Sequence, residues 1–183
     1  MIQLIGKILN FINGRGEKMI FRSQTYGNTE LEDIPRRLNE FYQKNKHYGT
    51  SFNIIIGTDS QNHYDTKVVT VVAITCEGHG GIFFDHIKHV DRISNIKEKL
   101  NYETGDSLIV ATKLIEVFEN DEELEELYLN ANIAIHIDAG TSLKGKTHLL
   151  INDLIGWVTA TGFDCQIKPE SFVASSIADK ISK

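Results

Sequence analysis

A chain of 183 residues, 41% hydrophobic and 24% charged, has material for one domain with one sizeable core. Its formal net charge of −6 excludes a general polyanion binder, so any contact with nucleic acid must rest on local basic groups. No apolar run approaches the ~18 residues of a membrane span, and Cys76 and Cys165, both in apolar strand-like segments, read as buried thiols of a cytoplasmic protein rather than as a disulfide.

Residues 1–18 read as an N-terminal extension and 19–183 as a single domain. In the extension, Ile2, Ile5, Leu9 and Ile12 fall on one helical face. That suits a helix over 1–14 that docks a protein partner or a second copy. The alternatives are a frayed tail or residues that are not native. Arg15-Gly16-Glu17 lies just before Met19, and purine-rich codons for those three residues would resemble a bacterial ribosome-binding site. A basic start and a small-residue cleavage site are both lacking, so a signal peptide is not expected.

Thr29-Glu30-Leu31-Glu32 matches a capping box and predicts a helix running to about Lys46. Pro35 distorts its first turn or moves the regular part nearer Asp33. Arg36, Arg37, Lys44 and Lys46 give it a basic, solvated face. Three strands are predicted next, over 51–58, 67–77 and 81–90, with 61–66 as a polar loop. Gly78-His79-Gly80-Gly81 is a tight turn that makes the last two a hairpin. A long helix follows over 96–119, with Leu100, Leu108, Ala111, Leu114, Ile115 and Phe118 as its apolar stripe. The acidic run 121–126 reads as solvated surface. A strand over 132–138, a helix over 146–161, a strand over 163–168 ended by Pro169, and a helix over 171–181 complete the chain. This order predicts an α/β fold with a mixed five-stranded sheet. It would hold a three-strand antiparallel meander plus two parallel strands, with helices on both faces.

Two of the strands end in a lone acid. One reads Phe52-Asn53-Ile54-Ile55-Ile56-Gly57-Thr58-Asp59, the other Ile133-Ala134-Ile135-His136-Ile137-Asp138. Near-continuous apolar runs belong in the middle of a sheet. Acids at their ends converge in the crevice where open α/β sheets place ligands. Glu103 on the long helix and Asp179 near the C-terminus can join them, with Asp106 as the substitute if Glu103 points away. Four carboxylates brought together repel one another unless a cation neutralises them, which points to a hard divalent metal. His136 shares parity with Asp138 and reads more readily as a hydrogen-bonded core histidine than as a site group. His86 and His89 alternate across their strand, which argues against a shared zinc.

The local wording carries a resemblance. Ile56-Gly57-Thr58-Asp59-Ser60-Gln61, Glu103-Thr104, His136-Ile137-Asp138, Gly145-Lys146-Thr147, Gly162-Phe163, Lys168-Pro169-Glu170-Ser171 and Ala174-Ser175-Ser176-Ile177-Ala178-Asp179-Lys180 occur in that order. Together they resemble the ribonuclease H-like fold, in its YkuK-type branch of predicted ribonuclease H-related nucleases. The resemblance runs from Phe21 to Lys183. It implies hydrolysis of RNA, DNA or hybrid phosphodiesters. Asp59, Glu103, Asp138 and Asp179 would hold two Mg²⁺ or Mn²⁺ ions, one activating a water and one stabilising the leaving oxygen. Lys168 is expected at the scissile phosphate, and Lys146, Lys144, Gln61 and Ser60 at the substrate phosphates. Gln61 is a departure: many exonucleases of this fold carry a second acid there, and a glutamine adds no charge. A module that keeps the fold and binds without cutting is the alternative.

A rival signal lies at Gly140-Thr141-Ser142-Leu143-Lys144-Gly145-Lys146-Thr147, which fits the P-loop pattern between a strand and a helix. Too little chain follows to build the parallel sheet of a nucleotide hydrolase, and no second acid-tipped strand follows to hold magnesium. Backbone amides at that helix start, with Lys144 and Lys146, would instead suit a nucleic-acid phosphate beside the metals.

Overall fold

The computed structural model describes residues 18–140 and 146–168. Among the described residues seven strands form one sheet: β1 (Ile20–Ser23), β2 (Gly27–Glu30), β3 (Phe52–Asn62), β4 (Thr66–Cys76), β5 (Gly80–Val90), β6 (Ala131–Gly140) and β7 (Asp164–Lys168). Their order across the sheet is β2-β1-β5-β4-β3-β6-β7. The meander β3–β4–β5 is antiparallel, and β6 and β7 add in parallel beside β3. The helices are α1 (Ile34–Asn45), α2 (Ile96–Asn120), α3 (Glu125–Asn130) and α4 (Lys146–Ala160).

The sheet has two more strands than the five expected. The extra pair is the hairpin β1–β2, in which Phe21 faces Thr29 and both are buried. Four-residue strands are too short to show a period of two, and Gly27, at φ +68°, supplies the turn. The capping-box expectation fails for the same reason. Thr29 is committed to the β1 ladder, a short 3₁₀ turn at Leu31–Asp33 follows, and the regular helix starts at Ile34. Pro35 then falls in the first turn, where its missing N–H leaves no hydrogen bond unmade.

Half of the predicted loop 61–66 is also strand. Pairing of β3 with β4 continues through Gln61↔Lys67 and Asn62↔Thr66, leaving only residues 63–65 as the turn. Polar residues here do not mark the end of the ladder: the buried Thr66 is hydrogen-bonded through its hydroxyl, and 63–65 form the turn.

One face of the sheet, with Ile54, Ile56, Val72, Ile74, Phe84 and Ile135, packs against Leu38 of α1, Leu108 and Leu114 of α2, and Leu154 and Val158 of α4. The opposite face carries a smaller cluster of Val69, Val71 and Ala73 beside Phe83 and Ile87. The helix expected over 171–181, which would give helices on both faces, lies outside the described residues, as do residues 1–17. Among the described residues no helix is long and apolar enough to cross a membrane.

The acidic run is not simply solvated. Leu124 and Leu127 are buried, and Asp121 and Glu126 meet Arg36 of α1 and Lys46 just after it at 3.1 and 2.8 Å. Two surfaces expected to face water face each other. The ion pairs are exposed and contribute little, so the leucines anchor the contact. Cys76 and Cys165 are free thiols, and burial pushes that of Cys165 up to about 11.

Candidate active site

Parallel pairing of β3 with β6 runs from Phe52↔Ala131 to Thr58↔Ile137. Asp59 and Asp138 are each the next residue. Register therefore sets the two acids side by side at the C-terminal end of the central parallel pair, on one face. The β6–β7 ladder shifts at the same point: Ile137 pairs with Ile167, and the next pair is Gly140↔Lys168. Asp138 and Ala139 lie in this break of register, and such irregularities commonly re-aim a side chain beside a site. The backbone of Lys168 lies opposite Gly140, two residues beyond Asp138.

Glu103 comes from α2. It is only 4% exposed, and Ser60 Oγ donates to its Oε1 at 2.7 Å. Lys99 Nζ lies 3.7 Å from the same oxygen, one helical turn away. Burial raises the Glu103 pKa to about 7. Ser60 and Lys99 oppose that rise, while the charges of Asp59 and Asp138 add to it. Glu103 thus lies within electrostatic reach of both aspartates, and the three acids form a loose charge cluster, with Ser60 and Glu103 on the α2 side of β3 and Asp59 alternating to the other.

A layer of buried hydroxyls sets α2 against the sheet beneath this cluster. Thr58 Oγ1 is 2.9 Å from Ser107 Oγ and 3.1 Å from Thr70 Oγ1. Ser107 Oγ also donates to the Glu103 carbonyl at 3.1 Å. These bonds link the residue before Asp59 to the turn of helix that carries Glu103. Neither this layer nor Lys99 was expected. The Lys99–Glu103 spacing was readable in the sequence, but the hydroxyls touch only across the fold.

Two expectations change. Ser60, expected at a substrate phosphate, is 1% exposed and bonded to Glu103, so it serves the carboxylate instead. Asp106, the substitute acid, is held by Lys88 at 2.6 Å and stands apart from the cluster. Burial raises the Asp106 pKa and the Lys88 charge works against the rise. Lys88→Met should therefore cost about 2 kcal/mol at pH 8, by leaving that carboxylate without its counter-charge. Denaturant unfolding would measure it, and adding Asp106→Leu should restore most of the loss.

His136 is buried, two residues before Asp138 on its face of β6. His86 and His89 find separate partners, the Ile20 carbonyl and Asp65, as their opposite faces imply. Gln61 continues β3 opposite Lys67. Lys146 is the first residue of α4. Lys144, the loop 141–145 and Asp179 lie outside the described residues. After that loop the sheet gains only β7 among the described residues, which does not suit a nucleotide hydrolase.

Among the described residues no group of three His, Cys, Asp or Glu side chains is arranged so that it could hold a metal ion. The donor set nevertheless fits a hard dication: every candidate donor is a carboxylate oxygen, and a buried Glu103 repelled by two aspartates is relieved by positive charge.

A mixed sheet with helices packed on it is compatible with the ribonuclease H-like class. A family model described as "Ribonuclease H-like" matches residues 33–183. The chain belongs to this family, in its YkuK-type branch. It is 30% identical over 178 residues to "Uncharacterized protein YkuK" of Bacillus subtilis (strain 168), a match covering 91% of this chain and 99% of that one. No solved structure matches the chain.

Proposed function

We propose that this chain is a metal-dependent nuclease, hydrolysing nucleic-acid phosphodiesters at Asp59, Glu103 and Asp138. The observation that carries the reading is the cluster itself: burial raises the pKa of Glu103 to about 7, and two register-matched aspartates add to that rise. Such perturbation by specific charged neighbours is typical of functional sites.

A pair of Mg²⁺ or Mn²⁺ ions would supply Lewis-acid stabilisation of the attacking and leaving oxygens. The chain's own work is to hold and discharge. Asp59 and Asp138 present carboxylates from adjacent strand ends. Glu103 gives up its proton when a cation arrives, with Ser60 and Lys99 keeping its Oε1 in place. Gln61 orients water, Asp179 adds a fourth ligand, and Lys168, Lys146 and Lys144 contact substrate phosphates. Two free thiols fit a reducing, cytoplasmic setting. A binding module without catalysis draws its support from Gln61, which leaves β3 with one acid where many exonucleases have two.

The test is cleavage of labelled single-stranded RNA, single-stranded DNA, duplex DNA and RNA–DNA hybrid in Mn²⁺ or EDTA, beside thermal unfolding in both. Metal-dependent cutting is expected. A metal at a hundred times its dissociation constant should add about 2.7 kcal/mol of stability. Stabilisation without cutting of any substrate would favour the binding module, and neither response would remove the metal site.

A further inference from the structure

The β3–β4 hairpin runs on beyond Asp59 and carries an aromatic side chain at its tip. Tyr64 is wholly exposed, at 103% of its reference area. The hairpin that presents it is stiff. The His63 N–H donates to the Asp65 carbonyl at 2.8 Å, and Asp65 meets His89 at 2.7 Å. Asn62 Nδ2 donates to the Ile93 carbonyl at 2.8 Å, and the Ile93 N–H donates back to Thr66 Oγ1 at 2.8 Å. Thr66 Oγ1 in turn donates to Asn62 at 2.7 Å. These bonds pin the hairpin to the segment between β5 and α2, which carries the exposed Arg92. Tyr64 is five residues from Asp59, about 15 Å along the strand direction, or roughly four stacked nucleotides at ~3.4 Å each.

Fixing a tyrosine in water on a braced hairpin gains nothing for the core. It suits a flat apolar ligand. The net charge of −6 leaves little affinity to come from counterion release alone, whereas stacking on an aromatic ring is available to every base. A duplex hides its base faces except at its ends, so a stacking tip favours an unpaired strand.

We propose that Tyr64 stacks on a base, and Arg92 contacts a phosphate, of single-stranded nucleic acid leading into the carboxylate cluster. This deepens the nuclease reading and depends on it only for where the strand leads.

The experiment uses the full chain with Asp59→Asn, in EDTA so that nothing is cut. Binding to short labelled single-stranded DNA, single-stranded RNA and blunt duplex is read by fluorescence anisotropy across a salt series. Tyr64→Ala should raise the single-strand Kd about tenfold, while Tyr64→Phe leaves it unchanged. Arg92→Ala should flatten the salt dependence by about one unit of slope. An exposed ring should leave Tm unchanged on removal, which thermal unfolding checks. Unchanged single-strand binding by Tyr64→Ala overturns the proposal, and so does an equal loss on blunt duplex. If Tyr64→Ala behaves as wild type while wild type cuts, the nuclease reading stands without this contact. If the stacking losses appear and wild type never cuts, the contact stands and the nuclease reading falls.

Discussion

Metal-free protein will lose on the order of 3 kcal/mol of stability as the pH rises from about 5 to 8, and Glu103→Gln will remove most of that loss. The sign follows from where the proton sits. In the unfolded chain Glu103 ionises near its ordinary 4.5; in the folded protein it holds its proton to about 7. Between those values the folded state binds the extra proton. The stabilisation is complete below the lower value, falls as the pH rises through the higher one, and is gone above it. Burial is the main cause and the two aspartates add to it, so the amide variant removes the ionisation without changing size. Denaturant unfolding in EDTA at several pH values measures both proteins. Parallel curves for wild type and variant would mean that Glu103 is not held protonated. Because a cation competes with that proton, Mn²⁺ affinity should rise with pH across the same window.

Asp59→Asn/Asp138→Asn will lower metal-dependent cleavage by about a thousandfold, the scale of several kcal/mol of charge stabilisation at the reacting phosphate. The amides keep the shape of the strand ends, so the fold should survive. It should even gain stability at pH 8, because two negative charges that oppose ionised Glu103 are gone. Cleavage and unfolding thus move in opposite directions in one variant, a pattern that simple damage to the fold would not produce. Cleavage at the wild-type rate would place the chemistry elsewhere in the chain.

The sequence carried the centre of this molecule better than its margins. Strands β3 to β6 and the long helix were readable because they are long and bounded by turn residues, the short β7 because Gly162 and Pro169 bracket it, and Asp59 and Asp138 because each ends an apolar run. The β1–β2 hairpin was not, since Phe21 and Thr29 are single buried residues in four-residue strands and a capping-box pattern overlaps them. Asp59, Glu103 and Asp138 were legible as candidates from strand ends and helix spacing. What Ser60 does was not: it is the neighbour of Asp59 in the chain, but alternation turns it to the opposite face, toward α2 and Glu103. The pairing of Asp106 with Lys88 likewise depends on how α2 lies across β5, which no local pattern encodes.

The central parallel pair has a consequence for timing. The meander β3–β4–β5 joins neighbours in sequence and forms from local contacts. Pairing β3 with β6 joins segments 79 residues apart, as the Asn53–Asn132 bond illustrates, and must wait for a large loop to close. Asp59 and Asp138 therefore meet only when the last third of the chain docks. A nascent or truncated chain ending before β6 would carry Asp59 and Glu103 without their partner, so the candidate site is assembled as one of the last acts of folding.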